Sequence, residues 1–339
     1  MERIIQLHKK IAPKLMEAVE IRYNILRYIY YAQPIGRRVL AGQLAMGERV
    51  IRAETEFFKS QGLLNITPAG MTVTPEGEAL LTGFIDYIHK LRGLSGLEQE
   101  LADKLALRQT VIIPGNCDCD GTVKKELGQA AARLLEQYIT DGTTLAVTGG
   151  TTTAEVAAAL HTVKKDVLVL PARGGLGEEV EYQANTIAAA MAKKLGGTYR
   201  LLYLPDLLSP ETINTIASQD PGVREVLTRL KHTDVLVVSL GRADTLARFR
   251  GLPEDKITEL IDSGATGEAL GYYFNLQGKL VYMNHSVGLH MEDVTNIKTV
   301  ITVAGGYSKA AAIVSVLRHN RHQMLITDEA AAKKMLELL

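Results

Sequence analysis

"LAVTGGTTTAEVAAAL", residues 145–160, is the stretch on which the reading of the fold turns. An apolar run of strand character stops at Gly149 and Gly150, three threonines follow, and an alanine-rich helical pattern begins at once. The glycines let backbone approach a ligand closely, and the hydroxyls of Thr151, Thr152 and Thr153 can donate hydrogen bonds. The helix that follows adds unpaired N–H groups and a partial positive charge, a combination that binds anions. A simple turn needs one cap, not three threonines after two glycines, so the loop reads as a phosphate site. It matches neither the P-loop nor the G-x-G-x-x-G pattern, which disfavours ATP and NAD.

Further strands of the same kind surround it. "TVIIPG", "DVLVLPARGG", "YRLLYLPD", "DVLVVSLGRAD", "TVITVAGG" and "QMLITDE" are short, rich in Val, Ile and Leu, and mostly separated by helical patterns. Continuous apolar strands between helices indicate a parallel sheet covered on both faces, a Rossmann-like α/β domain. "LGYYFNLQGKLVYM" reads as an inserted hairpin. Ligands of open α/β sheets bind beyond the C-terminal strand ends. Two more strand ends there carry charge. "PARGGLGEE" puts Arg173 before Gly174 and Gly175, and "VAGGYSKAAAI" puts Lys309 at a helix start.

The N-terminal part has another character. Residues 1–92 hold 13 Lys and Arg against 9 Asp and Glu, and the acidic remainder brings the whole chain to zero. "RYNILRYIYYAQPIG" reads as a helix ended by Gln33-Pro34. "GRRVLAGQLAMGERVIRAETEFFKSQGLL" reads as helix, turn at Ala45-Met46-Gly47, helix. In the second of these helices we expect Val50, Ala53 and Phe57 on the core side, with Arg49, Arg52, Glu56 and Lys59 outward. "GLLNITPAGMTVTPEG" then gives a small hairpin and a Thr74-Pro75 helix start. Helix-turn-helix followed by a hairpin is the order of a winged helix, and the long polar side chains of the second helix suit base edges and phosphates. Arg37, Arg38, Arg49, Arg52 and Lys59 are the expected DNA contacts. The following segment carries Leu94, Leu97, Leu101 and Leu105 near heptad spacing, with an expected contribution to dimerisation. The division expected is 1–92, winged helix with connector, and 93–339, effector binding and oligomerisation.

Nothing near the N-terminus reads as a signal peptide, and no run reaches the ~18 apolar residues of a membrane span, so a cytoplasmic chain without membrane contact is expected. Cys117 and Cys119 in "NCDCDG" have no companion Cys or His pair, so a polar loop and no metal are expected.

"VTGGTTTAEVA", "PARGGLGEE…QANTIA", "GYYFN" and "AGGYSKAAAI", behind the winged helix, resemble the SorC family of bacterial transcription factors, and the resemblance covers essentially the whole chain. It implies an effector domain similar to the sugar-phosphate isomerase and deaminase fold. It also implies a repressor of a glycolytic operon, released by fructose 1,6-bisphosphate or a related phosphosugar. By that resemblance Thr151–Thr153 and Lys309 hold one phosphate. Arg173, Gln183, Arg250 and Glu268 meet the other phosphate or the sugar hydroxyls. The partners expected are operator DNA, the phosphosugar and further copies of the chain, as a dimer or a tetramer on DNA, with no cofactor.

A sugar-phosphate isomerase or deaminase using the same pocket is the competing class. It needs a placed base. His285 and His290 in "NHSVGLHMED" follow the hairpin and not a Gly-rich strand end, and read as structural or surface residues. A winged helix has no purpose in such an enzyme.

Overall fold

The computed structural model describes residues 2–320 and 323–339. The chain divides into two compact units, residues 1–96 and 97–339.

In the first unit the helices Pro13–Ala32, Arg37–Gln43 and Glu48–Ser60 precede a hairpin of β1 (Leu64–Thr67) and β2 (Gly70–Val73). Ile35 bridges to Met71 and widens the hairpin into a small sheet. Thr74 caps the next helix, Pro75–Leu91, by accepting from the Gly77 N–H. Ile25, Ile29, Leu40, Ile51 and Met71 are buried together in the core of this unit.

The face of the Glu48–Ser60 helix differs from the expectation. Ile51, Thr55 and Phe58 are buried, whereas Val50 and Phe57 are exposed large side chains and Ala53 is exposed. Both sets repeat at i, i+3 or i+4, and i+7, so periodicity admits either and packing decides. Ile51 and Phe58 meet the core of the hairpin and the preceding helices, and Phe57 instead receives the Arg22 guanidinium 4.0 Å from its ring centre.

The connector is not one continuous heptad helix. Gly93, in the left-handed region at φ 69°, separates Pro75–Leu91 from Leu94–Leu105. Leu94, Leu101 and Leu105 are buried, which leaves no open leucine seam of the kind a coiled coil presents.

The second unit holds a seven-stranded parallel sheet. Its strands are β3 (Gln109–Ile113), β4 (Thr143–Val147), β5 (Val167–Pro171), β6 (Thr198–Tyr199), β7 (Val235–Val238), β12 (Thr299–Val303) and β13 (Met324–Asp328). A second, antiparallel sheet is made of β8 (Gly241–Arg242), β9 (Ala265–Ala269), β10 (Tyr272–Asn275) and β11 (Leu280–Met283). The expected hairpin is thus half of a four-stranded sheet, and "YRLLYLPD" joins the sheet ladder only at Tyr199, with one further bridge from Pro205 to Gly175. Beyond Tyr199 that segment is held by single bonds, such as those between Asn185 and Leu202, and not by a ladder.

The order of the parallel sheet is β3-β13-β12-β7-β4-β5-β6. From β4 the chain winds outward through β5 and β6, and from β7 it winds the other way through β12 and β13. β4 and β7 therefore flank the switch point where two loops part and leave a crevice. The loop Thr148–Gly150 leaves β4 there, and Ser239–Leu240 leaves β7.

Candidate effector site

The crevice is a cavity of about 300 Å³ at the β4/β7 switch point. Of the residues expected from the sequence, Gly149, Gly150, Thr151, Thr152, Arg173, Gly174, Gln183, Arg250, Glu268 and Lys309 line it.

One end is cationic. The helix Thr151–Ala159 starts at Gly150, whose φ of 127° only glycine adopts readily, and no side chain caps its first turn. At Gly149 a Cβ would stand 2.7 Å from the Tyr182 carbonyl oxygen, so the close turn excludes any larger residue. Lys309 ends a single 3-10 turn, Tyr307–Lys309, that is fastened from below. Asp328 accepts from the Gly306 N–H at 2.6 Å and the Cys117 N–H at 2.8 Å, and Asp118 accepts from the Ser308 N–H at 2.8 Å. These carboxylates hold the loop backbone, and Lys309 forms no salt bridge among the described residues. Burial first, and then the like charge of Lys124, holds Lys309 below the ordinary lysine value, against Cys117, Asp118 and Asp328.

The other end is a buried quartet. Arg173 donates Nε to Asp206 Oδ1 at 2.9 Å and Nη2 to Asp206 Oδ2 at 2.7 Å. Arg250 donates to Asp206 and, at 2.9 Å, to Glu268. Arg173 also stands 3.6 Å from Glu268. The four side chains are 8%, 5%, 1% and 3% exposed for Arg173, Arg250, Asp206 and Glu268. Two positive and two negative charges cancel, which is why the cluster can be buried. Arg173 Nη1 and Arg250 Nε still lack hydrogen-bond partners. The two arginines are therefore not the free cations that the sequence suggested, since each already serves carboxylates.

Three expected residues play different parts. Thr153 is fully buried and spends its hydroxyl on the Gly150 carbonyl at 3.0 Å, away from the cavity. Gly175 lies outside the lining and pairs with the 204–206 strand-like segment through Leu204 and Asp206. Gln183 reaches the cavity but uses its amide on the Leu176 N–H, the Leu176 carbonyl and the Gly177 carbonyl, so it braces the loop after β5. Asp206, Ser239 and Arg242 also line the cavity and were not found from the sequence. They come from segments remote from the Gly-rich loops, and no local signal marks them. His285 is exposed and His290 caps the short helix Met291–Val294, neither among the cavity residues. Cys117 has its thiol pushed well above the usual range by burial and then by Asp328, so it is held as a neutral thiol.

In the first unit Arg38, Arg49, Arg52 and Lys59 are exposed. Arg49, Arg52 and Lys59 lie along the outward side of the second helix of the helix-turn-helix, and Arg38 is 3.4 Å from Glu48. Arg37 is partly committed: it bonds Thr55 at 3.3 Å and pairs with Glu56, which ties the two helices.

Residues 89–337 match the family model described as "Putative sugar-binding domain", and residues 18–88 match the "CggR N-terminal DNA binding domain". The central glycolytic genes regulator of Bacillus subtilis is 43% identical over 338 residues, 99% of each chain. The chain belongs to the SorC family of transcriptional regulators. Among solved structures, a "putative SorC family transcriptional regulator" of Enterococcus faecalis is 37% identical, with a TM-score of 0.66 over 71% of this chain and 99% of that one. The full-length sorbitol operon regulator of Klebsiella pneumoniae, 20% identical, shares the fold over 95% of this chain and 99% of that one, with a TM-score of 0.65. A DNA-binding unit followed in the chain by a sugar-binding α/β unit, in a relative of named transcriptional regulators, makes this family member a regulator and not an enzyme. No helix of the described residues is long and apolar enough to cross a membrane.

Proposed function

We propose that the protein represses a glycolytic operon and that a phosphosugar, fructose 1,6-bisphosphate, releases or remodels its grip on operator DNA. The observation that carries the reading is the cationic end of the cavity: an uncapped helix start and Lys309, which forms no salt bridge among the described residues. Thr151, Thr152 and Lys309 hold one phosphate there. At the quartet, Glu268 and Asp206 suit sugar hydroxyls as acceptors. The spare donors of Arg173 and Arg250 suit the second phosphate, and Arg242 at the cavity wall is already paired with Asp244. Because the quartet is neutral, it attracts that phosphate through directed N–H groups and not through net charge.

On DNA, Arg49, Arg52 and Lys59 meet bases and phosphates, with Arg37 and Arg38 on the flanking helix. We take the working form to be a homo-oligomer, a dimer or a tetramer on DNA, since winged-helix readers pair symmetric half-sites. The residue division 1–92 and 93–339 remains our functional assignment, close to the structural break.

The test is calorimetric titration of the full chain with fructose 1,6-bisphosphate, fructose 6-phosphate and fructose, alongside operator binding with and without each. Tight binding of the bisphosphate with a change in operator affinity supports the reading. Binding of neutral fructose as tightly as of either phosphate ester would overturn it.

A further inference from the structure

We infer that Lys124 is a direct ligand of the effector's phosphate, forming with Lys309 a two-lysine clamp over the start of the Thr151–Ala159 helix. This rests on the phosphosugar reading of the site and adds a residue to it from a separate element of the fold. Lys124 sits in the first turn of the helix Gly121–Tyr138, which Asp120 caps by accepting from the Thr122 N–H at 2.8 Å. From there its Nζ donates to Thr151 Oγ1 at 3.2 Å.

Three observations distinguish it from a solvated surface lysine. Its side chain is half-buried, although a lysine with nothing to hold extends into water. Among the described residues it makes no salt bridge, and neither does Lys309. The two ammonium groups are close enough for Lys124 to disfavour the charge on Lys309. Asp118 and Asp328 favour the charge on Lys309, but both are occupied with backbone N–H groups and neither forms a salt bridge with either lysine, so two half-buried cations flank an uncapped helix start with charge to spare for a ligand. Two lysines and the helix end match a phosphate dianion, which brings two charges and three acceptor oxygens.

The contact with Thr151 gives Lys124 a second effect. An ammonium has no acceptor, so in the pair Lys124 donates and the Thr151 oxygen accepts. The threonine hydroxyl proton is then turned away from Lys124 and is free to donate to a phosphate oxygen. Lys124 thus contributes its charge and sets the direction of its neighbour's donor. Asp118 fixes the Ser308 backbone, and through it the loop that carries Lys309, from the other side.

The test titrates the full chain and its Lys124→Met and Lys124→Arg variants with fructose 1,6-bisphosphate, fructose 6-phosphate and inorganic phosphate. Met keeps the aliphatic stem, and circular dichroism melting checks the fold. We expect Lys124→Met to weaken both esters to a similar degree, by about ten- to a hundredfold, since both place a phosphate at this end. Lys124→Arg should recover part of the loss. Combined with Thr151→Val, the loss should be smaller than the product of the two single losses, because Lys124 acts partly through that hydroxyl. Unchanged affinity of Lys124→Met, in a protein whose wild type binds these esters, overturns the clamp and leaves the proposed function standing. A wild type that binds none of the three overturns both.

Discussion

Arg173→Met tests whether the quartet is a neutral, mutually dependent unit. The wild-type cluster carries two positive and two negative charges, and Arg173 supplies two of the hydrogen bonds to Asp206. Removing its guanidinium leaves Asp206 and Glu268 with Arg250 alone, a net negative charge in a site that is almost fully buried. Breaking a buried pair from one side costs about 3–5 kcal/mol, most of it the penalty of the carboxylate left behind. For a unit of this size each kcal/mol lowers the melting temperature by about 2–4 °C, so a loss of about 6–20 °C is expected. Adding Asp206→Asn removes the stranded charge and returns the cluster to neutrality as Arg250 with Glu268. The double variant should therefore recover about 2 kcal/mol relative to Arg173→Met, although Asp206→Asn alone destabilises the wild type. Urea unfolding of the four proteins, followed by circular dichroism, closes the cycle. Strict additivity of the two substitutions, or a cost below about 1 kcal/mol for Arg173→Met, would refute the account of the quartet as one charge-balanced unit.

Thr152→Val should weaken binding of both the monophosphate and the bisphosphate, whereas Thr153→Val should leave both affinities unchanged and cost only about 1 kcal/mol of stability from its bond to Gly150; titration and melting of the two variants separate these outcomes. Lys309 is held below the ordinary lysine value by burial and then by Lys124, and a bound phosphate favours its charged form. Ligand binding should therefore take up protons at pH values above the unliganded Lys309 value, and affinity should fall as pH rises through that value. Titration in buffers of different ionisation enthalpy would show no net uptake if the two are uncoupled. By the same sign, the unliganded fold gains stability as pH rises through the Lys309 value toward the usual lysine range, because there the unfolded chain binds the proton that the folded one releases. Arg49→Ala and Arg52→Ala should each weaken operator binding, by about 1–3 kcal/mol at the cognate site for a base contact, or with a salt slope flatter by about one for a phosphate contact. Fluorescence anisotropy over a salt series would discard this placement of the helix if both variants bound as the wild type does.

The strands of the parallel sheet, the helix-turn-helix with its hairpin, and the glycine-threonine loop that lines the cavity were legible in the sequence because each is encoded locally. An apolar strand run, a Gly-Gly turn and a Thr-Pro helix start are decided by residues within a few positions of one another. The core face of the Glu48–Ser60 helix was not, since Val50-Ala53-Phe57 and Ile51-Thr55-Phe58 satisfy the same period and only the hairpin packed against them selects Ile51 and Phe58. The same limit applied at the site. The threonine loop, Arg173 and Lys309 announce themselves beside glycines at strand ends, but Asp206 lies in a segment without a motif. Its place follows from the strand order: β4 and β7 become neighbours, the loops that leave them part, and the crevice between is completed by whatever side chains the crossovers deliver. Charge partnership is likewise a property of the assembled fold. Arg173 and Arg250 read as free cations along the chain, and Asp206, 33 residues beyond Arg173, makes them half of a neutral cluster. Local physics therefore determined the elements and the glycine-threonine loop of the cavity, and only the tertiary arrangement decided which charges remain unpaired there.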